Sequence, residues 1–165
     1  MKNLIALLAL ALLVISCTKP CPENPAGTSN NGCGDFMLFE KLAIDRFAHS
    51  YITFNAQRDK LDLTEEYKTF DIAATPEITS RLEAFNTDNS GYCNCFVGQG
   101  VRMLNEWTLI SGSVQIKIVR DRNECSSNYV VDVILTHAVY EDAKDNVVNI
   151  NYHHFKNVLV GWYAG

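Results

Sequence analysis

Val114-Gln115-Ile116-Lys117-Ile118-Val119-Arg120 carries the signal that decides the fold. Val114, Ile116 and Ile118 fall on one side of an extended chain, Gln115 and Lys117 on the other, because successive strand side chains point to opposite faces. This is the pattern of a strand with one buried face and one wet face. Just upstream, Ser111-Gly112-Ser113 reads as a hairpin connection, with residues 101–110 as the partner strand. Downstream, residues 129–140 are nearly all strand-forming, and Val131, Val133, Leu135 and Val139 share a side with His137. Residues 141–146 form a polar turn, residues 147–155 return, and residues 158–163 close the chain.

The same period of two extends toward the N-terminus. Residues 51–55, 67–72 and 92–97 read as short strands, and residues 78–85 fit either a strand or a helix. Phe36, Phe39, Ala43 and Phe47 recur at helical spacing after Asp35, a residue suited to an N-cap, so a short helix is expected at 36–47. Short strands with turn signals, and no long helices alternating with them, predict a mainly β fold. The expectation is an antiparallel β-sandwich with one short helix near its N-terminus; a β-barrel and a more helical α+β fold are the neighbouring architectures.

At the N-terminus, Met1-Lys2-Asn3 is followed by an unbroken apolar run from Leu4 to Ile15. As a helix this run reaches about 18 Å, short of a hydrocarbon core of about 30 Å. It suits a signal peptide better than a membrane span. The run ends in Val14-Ile15-Ser16-Cys17. This resembles the bacterial lipoprotein signal: an aliphatic residue, a small or aliphatic residue, Gly, Ala or Ser, then Cys. The resemblance covers about the first twenty residues. It implies removal of residues 1–16, a diacylglycerol on the sulfur of Cys17 and a further acyl chain on its amine. Two or more chains give lasting anchorage, since each buried methylene contributes about 0.8 kcal/mol. Thr18 follows the cysteine where the lipoprotein sorting family uses Asp for inner-membrane retention, which implies the outer membrane. Residues 18–24 hold one acid, Glu23, rather than a dense acidic run. That favours the periplasmic face over the cell surface.

Residues 17–32 hold Pro20, Pro22 and Pro25, then Gly27, Ser29, Asn30, Asn31 and Gly32. Such a stretch buries too little to offset its ordering entropy and reads as a flexible lipid-anchored tether. Residues 33–165 are then one domain. The net charge is −5 and becomes more negative when Lys2 leaves. Acids and bases are interspersed without a basic stripe, so nucleic acid is not an expected partner.

The chain has six cysteines. With Cys17 lipidated, an oxidising envelope predicts disulfides among the rest. Cys21, between two prolines, is the candidate for the unpaired thiol. Cys93 and Cys95 point to one face of a strand about 6.5–7 Å apart, too far to bridge each other. Two pairings follow: Cys33 with Cys93 and Cys125 with Cys95, or the crossed version. A Cys21–Cys33 loop within the tether competes with both.

Other residues invite sharper readings. Cys93 and Cys95 on one face are the arrangement for Cu(I) or thiol exchange. His137 and His153 flank the turn at 141–146, so a hairpin could approach them as zinc ligands, yet no Cys or carboxylate completes a tetrahedral set at ligand spacing. Asp88-Asn89-Ser90-Gly91 and Asp142-Ala143-Lys144-Asp145-Asn146 lack the full calcium-loop pattern and read as turns. Trp107, Trp162, Tyr163, Tyr51 and Tyr92 read as core residues before they read as a sugar-stacking platform. No catalytic elbow, zinc-protease motif, phosphate loop or dinucleotide fingerprint is present, so no catalytic residue, metal site or cofactor is assigned. The expected function is that of a membrane-anchored envelope lipoprotein, non-enzymatic, binding an envelope protein or polysaccharide. The other reading is a small envelope hydrolase or metal-binding protein using His137 and His153 or Cys93 and Cys95.

Overall fold

The computed structural model describes residues 23–44, 47–89, 100–122 and 126–161. The strands are β1 (Gly32–Cys33), β2 (Met37–Lys41), β3 (His49–Ala56), β4 (Lys68–Asp71), β5 (Ile78–Phe85), β6 (Met103–Arg120), β7 (Tyr129–Glu141) and β8 (Val147–Val160). A four-residue helix α1 (Arg58–Leu61) and a 3-10 turn at Ile72–Ala74 are the helical pieces among the described residues. The chain is mainly antiparallel β, as the alternation implies. All eight strands belong to one sheet in the order β1-β2-β3-β5-β6-β7-β8, with β4 also paired to β6.

That single sheet curls on itself. Phe54 on β3 and Phe155 on β8 bring their rings to 6.2 Å, although the strands are not neighbours in the sheet. Ser80 Oγ on β5 and Tyr140 OH on β7 lie 2.9 Å apart across the interior, both buried. The facing layers expected of a sandwich are therefore opposite walls of one sheet, filled by Leu38, Ile52, Leu82, Val114, Ile116, Val133 and Leu135, all fully buried.

Residues 111–113 do not form the expected hairpin connection. β6 runs through them as one strand of 18 residues, with Ser111 opposite Val139 and Ser113 opposite Thr136. The buried positions are odd before this point (Trp107, Leu109) and even after it (Val114, Ile116, Ile118). In β7 the residues that join the core cluster change from odd (Val131, Val133, Leu135) to even (Ala138, Tyr140). An interruption of strict alternation on both strands demands a register irregularity, and one is present at this place. His137 takes φ 51° there and Gly112 φ 130°. A Cβ on Gly112 would sit 2.8 Å from Ala138 Cα and 2.9 Å from the His137 carbonyl oxygen. The glycine that reads as a turn residue is a close-approach residue inside a long strand.

The helix expected at 36–47 is also corrected. Residues 37–41 form β2, paired from Met37 opposite Asn55 to Lys41 opposite Tyr51. Phe36 and Leu38, two apart, are the buried pair, and this period of two prevails over the helical spacing of Phe36, Phe39, Ala43 and Phe47. Asp35 caps no helix: its carbonyl accepts from Tyr129 OH and its carboxylate from Arg122. Residues 78–85, ambiguous in sequence, are a strand held between β3 and β6. Residues 147–155 and 158–160 form one strand, β8, and the gap between them is a bulge. There Asp132 alone lies between the pairs Val131–Val158 and Val133–Phe155, while β8 supplies Lys156 and Asn157. Asn157 takes φ 49°, which asparagine tolerates better than most residues.

This bulge also closes the curl. Ser29 forms a parallel bridge with Val158, its N–H donating to the Asn157 carbonyl at 2.9 Å, and Leu159 N–H donating to the Ser29 carbonyl at 2.9 Å. Gly161 N–H donates to the Gly34 carbonyl at 2.7 Å. A Cβ on Gly32 would meet the Leu159 carbonyl oxygen at 2.7 Å, so the lack of a side chain permits the approach. The stretch read as tether up to residue 32 is thus already docked at Ser29. Cys33, buried beside this seam, is disulfide-bonded. Cys17, Cys21, Cys93, Cys95 and Cys125 lie outside the described residues, as do the strand expected at 92–97 and the signal segment. Among the described residues no helix is long and apolar enough to cross a membrane.

Candidate functional site

The turn between β7 and β8 is built around one carboxylate. Asp142 Oδ1 accepts from Lys144 N–H at 2.8 Å, Asn146 N–H at 3.0 Å and Asn146 Nδ2 at 3.0 Å. Its Oδ2 accepts from Asn146 Nδ2 at 2.9 Å and from Asn105 Nδ2, on β6, at 3.1 Å. These bonds, that from Asn146 first, hold the Asp142 carboxyl far below the usual carboxylate range. They account for the aspartate and asparagines here as turn chemistry rather than a calcium loop.

Beside this turn the curled sheet gapes. A cavity of about 860 Å³ opens between the β2–β3 connection and the first residues of β8. Its apolar side is Ile44, Phe47, Trp107, Val148 and Ile150, and its polar side includes Asn105, Asp142, Asp145 and Asn146. Trp107 is on the wall because the odd phase of β6 turns it inward; it is 5% exposed. Phe47 meets it edge-on at 5.6 Å between ring centroids. The indole Nε1 of Trp107 is buried and has no hydrogen-bond partner. Leaving a buried donor unpaired costs about 1–3 kcal/mol, and this indole N–H, with less than 1 Å² of accessible surface, is closed off from the open cavity.

A second polar cluster lies around Asp132. Its carboxylate accepts from Tyr67 OH at 3.0 Å and from Asn157 N–H at 3.3 Å, and lies 2.7 Å from His154 Nε2. Lys117 Nζ is 3.9 Å from it and sits over the Tyr67 ring at 4.5 Å. Burial, then the bond to Asp132, pushes the Tyr67 hydroxyl up to about 12. Asp132 is the acceptor that fixes the Asn157 bulge, which gives this cluster a structural task.

The histidines singled out in the sequence separate. His137 is exposed at the β6–β7 irregularity. His153 pairs with Leu135 and is mostly buried, its ring 4.5 Å edge-on from Phe155. Burial, then the neighbouring His154, lowers the His153 imidazole to about 4. Its Nε2 is 3.3 Å from Glu40 Oε2, but the pair lacks hydrogen-bond geometry. Burial raises the Glu40 carboxyl, with His154 pulling the other way. Among the described residues no group of three His, Cys, Asp or Glu side chains is placed to hold a metal. Cys93 and Cys95 fall outside those residues.

Trp107 and Tyr51 offer no stacking platform, since both are 5% exposed. The Tyr51 hydroxyl donates to Asp88, and burial followed by that bond raises it to about 12. Trp162, Tyr163 and Tyr92 lie outside the described residues. Sequence reasoning missed the cavity: Ile44, Phe47, Val148 and Ile150 carry no motif, and only the curl joins them to Trp107. No protein family, curated protein or solved structure matches the chain.

Proposed function

We propose that the chain is a lipid-anchored, non-enzymatic binding module of the bacterial envelope that takes a ligand into the cavity beside Trp107. The cavity of about 860 Å³, with an apolar side of Ile44, Phe47, Trp107, Val148 and Ile150 and a polar side that includes Asn105 and Asn146, supports the binding half of this reading. Val14-Ile15-Ser16-Cys17 carries the anchoring half. In this reading residues 1–16 are removed, Cys17 bears the acyl chains, and the residues up to 28 link the lipid to the seam at Ser29. The outer membrane, periplasmic face, follows from Thr18 and the sparse acids after it. Cys33 pairs with Cys93 or Cys95, and Cys125 with the other, bracing the domain in an oxidising compartment.

Expression in a lipoprotein-processing bacterium tests the anchor. The wild-type chain is expected in the membrane pellet, its N-terminal peptide starting at Cys17 with the mass of two or three acyl chains. Cys17→Ser should leave the protein out of that pellet. A mature protein that retains Met1 and carries no fatty acid would overturn the anchored reading.

A further inference from the structure

We propose that the cavity beside Trp107 takes an extended peptide segment, which adds to the open edge of β8 at residues 147–151 as a further strand. The inference rests on the cavity being the ligand site. β8 ends the strand order, and β7 pairs with one of its edges along its length. The other edge takes main-chain bonds at Asn157 and Leu159, both with Ser29, and among the described residues at no position from Val147 to Phe155. The Ser29 bonds show what this edge accepts. Residues 29–34 lie between β8 and β2 as a stave one strand wide: Ser29 bridges Val158, while the Asn31 carbonyl accepts from Phe39 N–H at 2.8 Å. Toward the N-terminus the chain turns out of the gap, Thr28 N–H donating to the Pro25 carbonyl at 3.1 Å. Past that point the gap continues between β8 and the residues that follow β2, and widens into the cavity lined by Ile44, Phe47, Val148 and Ile150. An exposed edge that must stay unpaired is normally guarded by charge or proline. Residues 147–155 contain no Asp, Glu, Lys, Arg or Pro. Side-chain direction ties the edge to the cavity. Val148 and Ile150 pack inward against the core, whereas Val147, Asn149 and Asn151 are exposed. Neighbouring strands share their faces, so an added strand would turn alternate side chains in beside Val148 and Ile150, toward Phe47 and Trp107. The occupant is therefore a peptide with apolar residues at positions i and i+2, its main chain held by β8 and those side chains by the cavity. A compact small molecule would fill the cavity and leave the edge to water.

The probe is a blocked heptapeptide alternating Thr and Val, titrated into the folded protein. NMR follows the amides of residues 147–151 and the Trp107 indole, which Trp107→Phe assigns against that of Trp162. Binding should shift the Trp107 signal and slow hydrogen exchange at alternate amides of residues 147–151 by about tenfold or more. N-methylation separates strand addition from simple burial, because successive amides of an extended peptide point to opposite edges. Methyl groups placed on the Val nitrogens alone, or on the Thr nitrogens alone, should therefore differ. One set should weaken binding about tenfold or more, the other by less than about threefold. Equal loss from the two sets, or a bound peptide that protects none of residues 147–151, would overturn strand addition while leaving the cavity a binding site. Toluene, which has no main chain, makes the remaining division. A Trp107 signal moved by toluene but not by the peptide overturns the peptide occupant alone, and one moved by neither removes the cavity as the ligand site. Sedimentation without peptide should show a monomer; a dimer that protects the same amides would make a second copy the occupant of this edge and overturn the assignment.

Discussion

His153 is a residue whose chemistry departs far from its free state. Buried against Phe155, it stays neutral down to about pH 4, whereas in the unfolded chain it protonates near the ordinary value of 6.5. The folded pKa is lowered, so its contribution to stability is fully present above pH 6.5 and is lost as pH falls from 6.5 toward 4. The loss over that window is on the order of 2–3 kcal/mol. Urea melts at pH 7 and pH 4.5 should show the wild type losing about 2 kcal/mol more than His153→Leu, which has nothing to protonate there. Equal losses would place the acid sensitivity elsewhere. Tyr140 makes a smaller claim: its hydroxyl meets Ser80 Oγ, which also donates to the Thr53 carbonyl. Tyr140→Phe leaves Ser80 its second partner and should cost about 1 kcal/mol by urea melt.

At the scale of elements, β6 and β7 change phase together where Gly112 faces His137 and Ala138. Any side chain at Gly112 must displace backbone of the neighbouring strand, because the nearest atoms are Ala138 Cα and the His137 carbonyl. Gly112→Ala should lower stability by about 1–3 kcal/mol despite adding a single methyl group. A neutral result would mean that the strands separate there at little cost. The β7–β8 bulge depends on Asp132 receiving Asn157 N–H. Asp132→Ala should loosen the bulge and, through the Asn157 carbonyl, the Ser29 bridge. Hydrogen exchange at Ser29 and Leu159 should then accelerate while exchange at Ile116 and Val133, in the central strands, stays slow.

For the whole molecule, closure of the curl is the decisive event. Phe54 and Phe155 meet only because β3 and β8 come to face each other, and the seam of Ser29, Gly32 and Gly34 on β8 holds the end strands together. Gly32→Val would press three side-chain atoms into the Leu159 carbonyl and the Val158 and Val160 methyls. It should destabilise the protein and widen the exchange-sensitive region from residues 29–34 to the facing residues 157–161. Phe155→Ala, acting on the same closure from inside, should cost about 3–5 kcal/mol. The seam also fixes where the chain leaves the domain, beside β8, so a lipid on Cys17 would hold the molecule by that edge.

The strand at 114–120 was legible because one of its faces meets the core and the other does not, a difference written locally as alternation, whereas those at 51–55 and 129–140 were legible from their strand-forming residues and are buried on both faces over much of their length. The polar turn at 142–146 was legible for a similar reason: Asp142 and Asn146 satisfy one another within five residues. The lipobox is a linear pattern and needs no fold to be read. Tertiary structure decided the rest. Phe36, Phe39 and Phe47 carry a helical spacing, yet pairing with β3 imposed an extended chain on residues 37–41. Ser111-Gly112-Ser113 spells a turn, yet continuous pairing with β7 on one edge, and β4 and β5 on the other, kept β6 unbroken. The cavity joins Ile44, Phe47, Trp107 and Val148, residues without any shared pattern, because the space between them exists only once the sheet has closed. Local sequence records which face of a strand is dry; which dry faces meet, and where they leave a gap, is set by long-range pairing that no short stretch encodes.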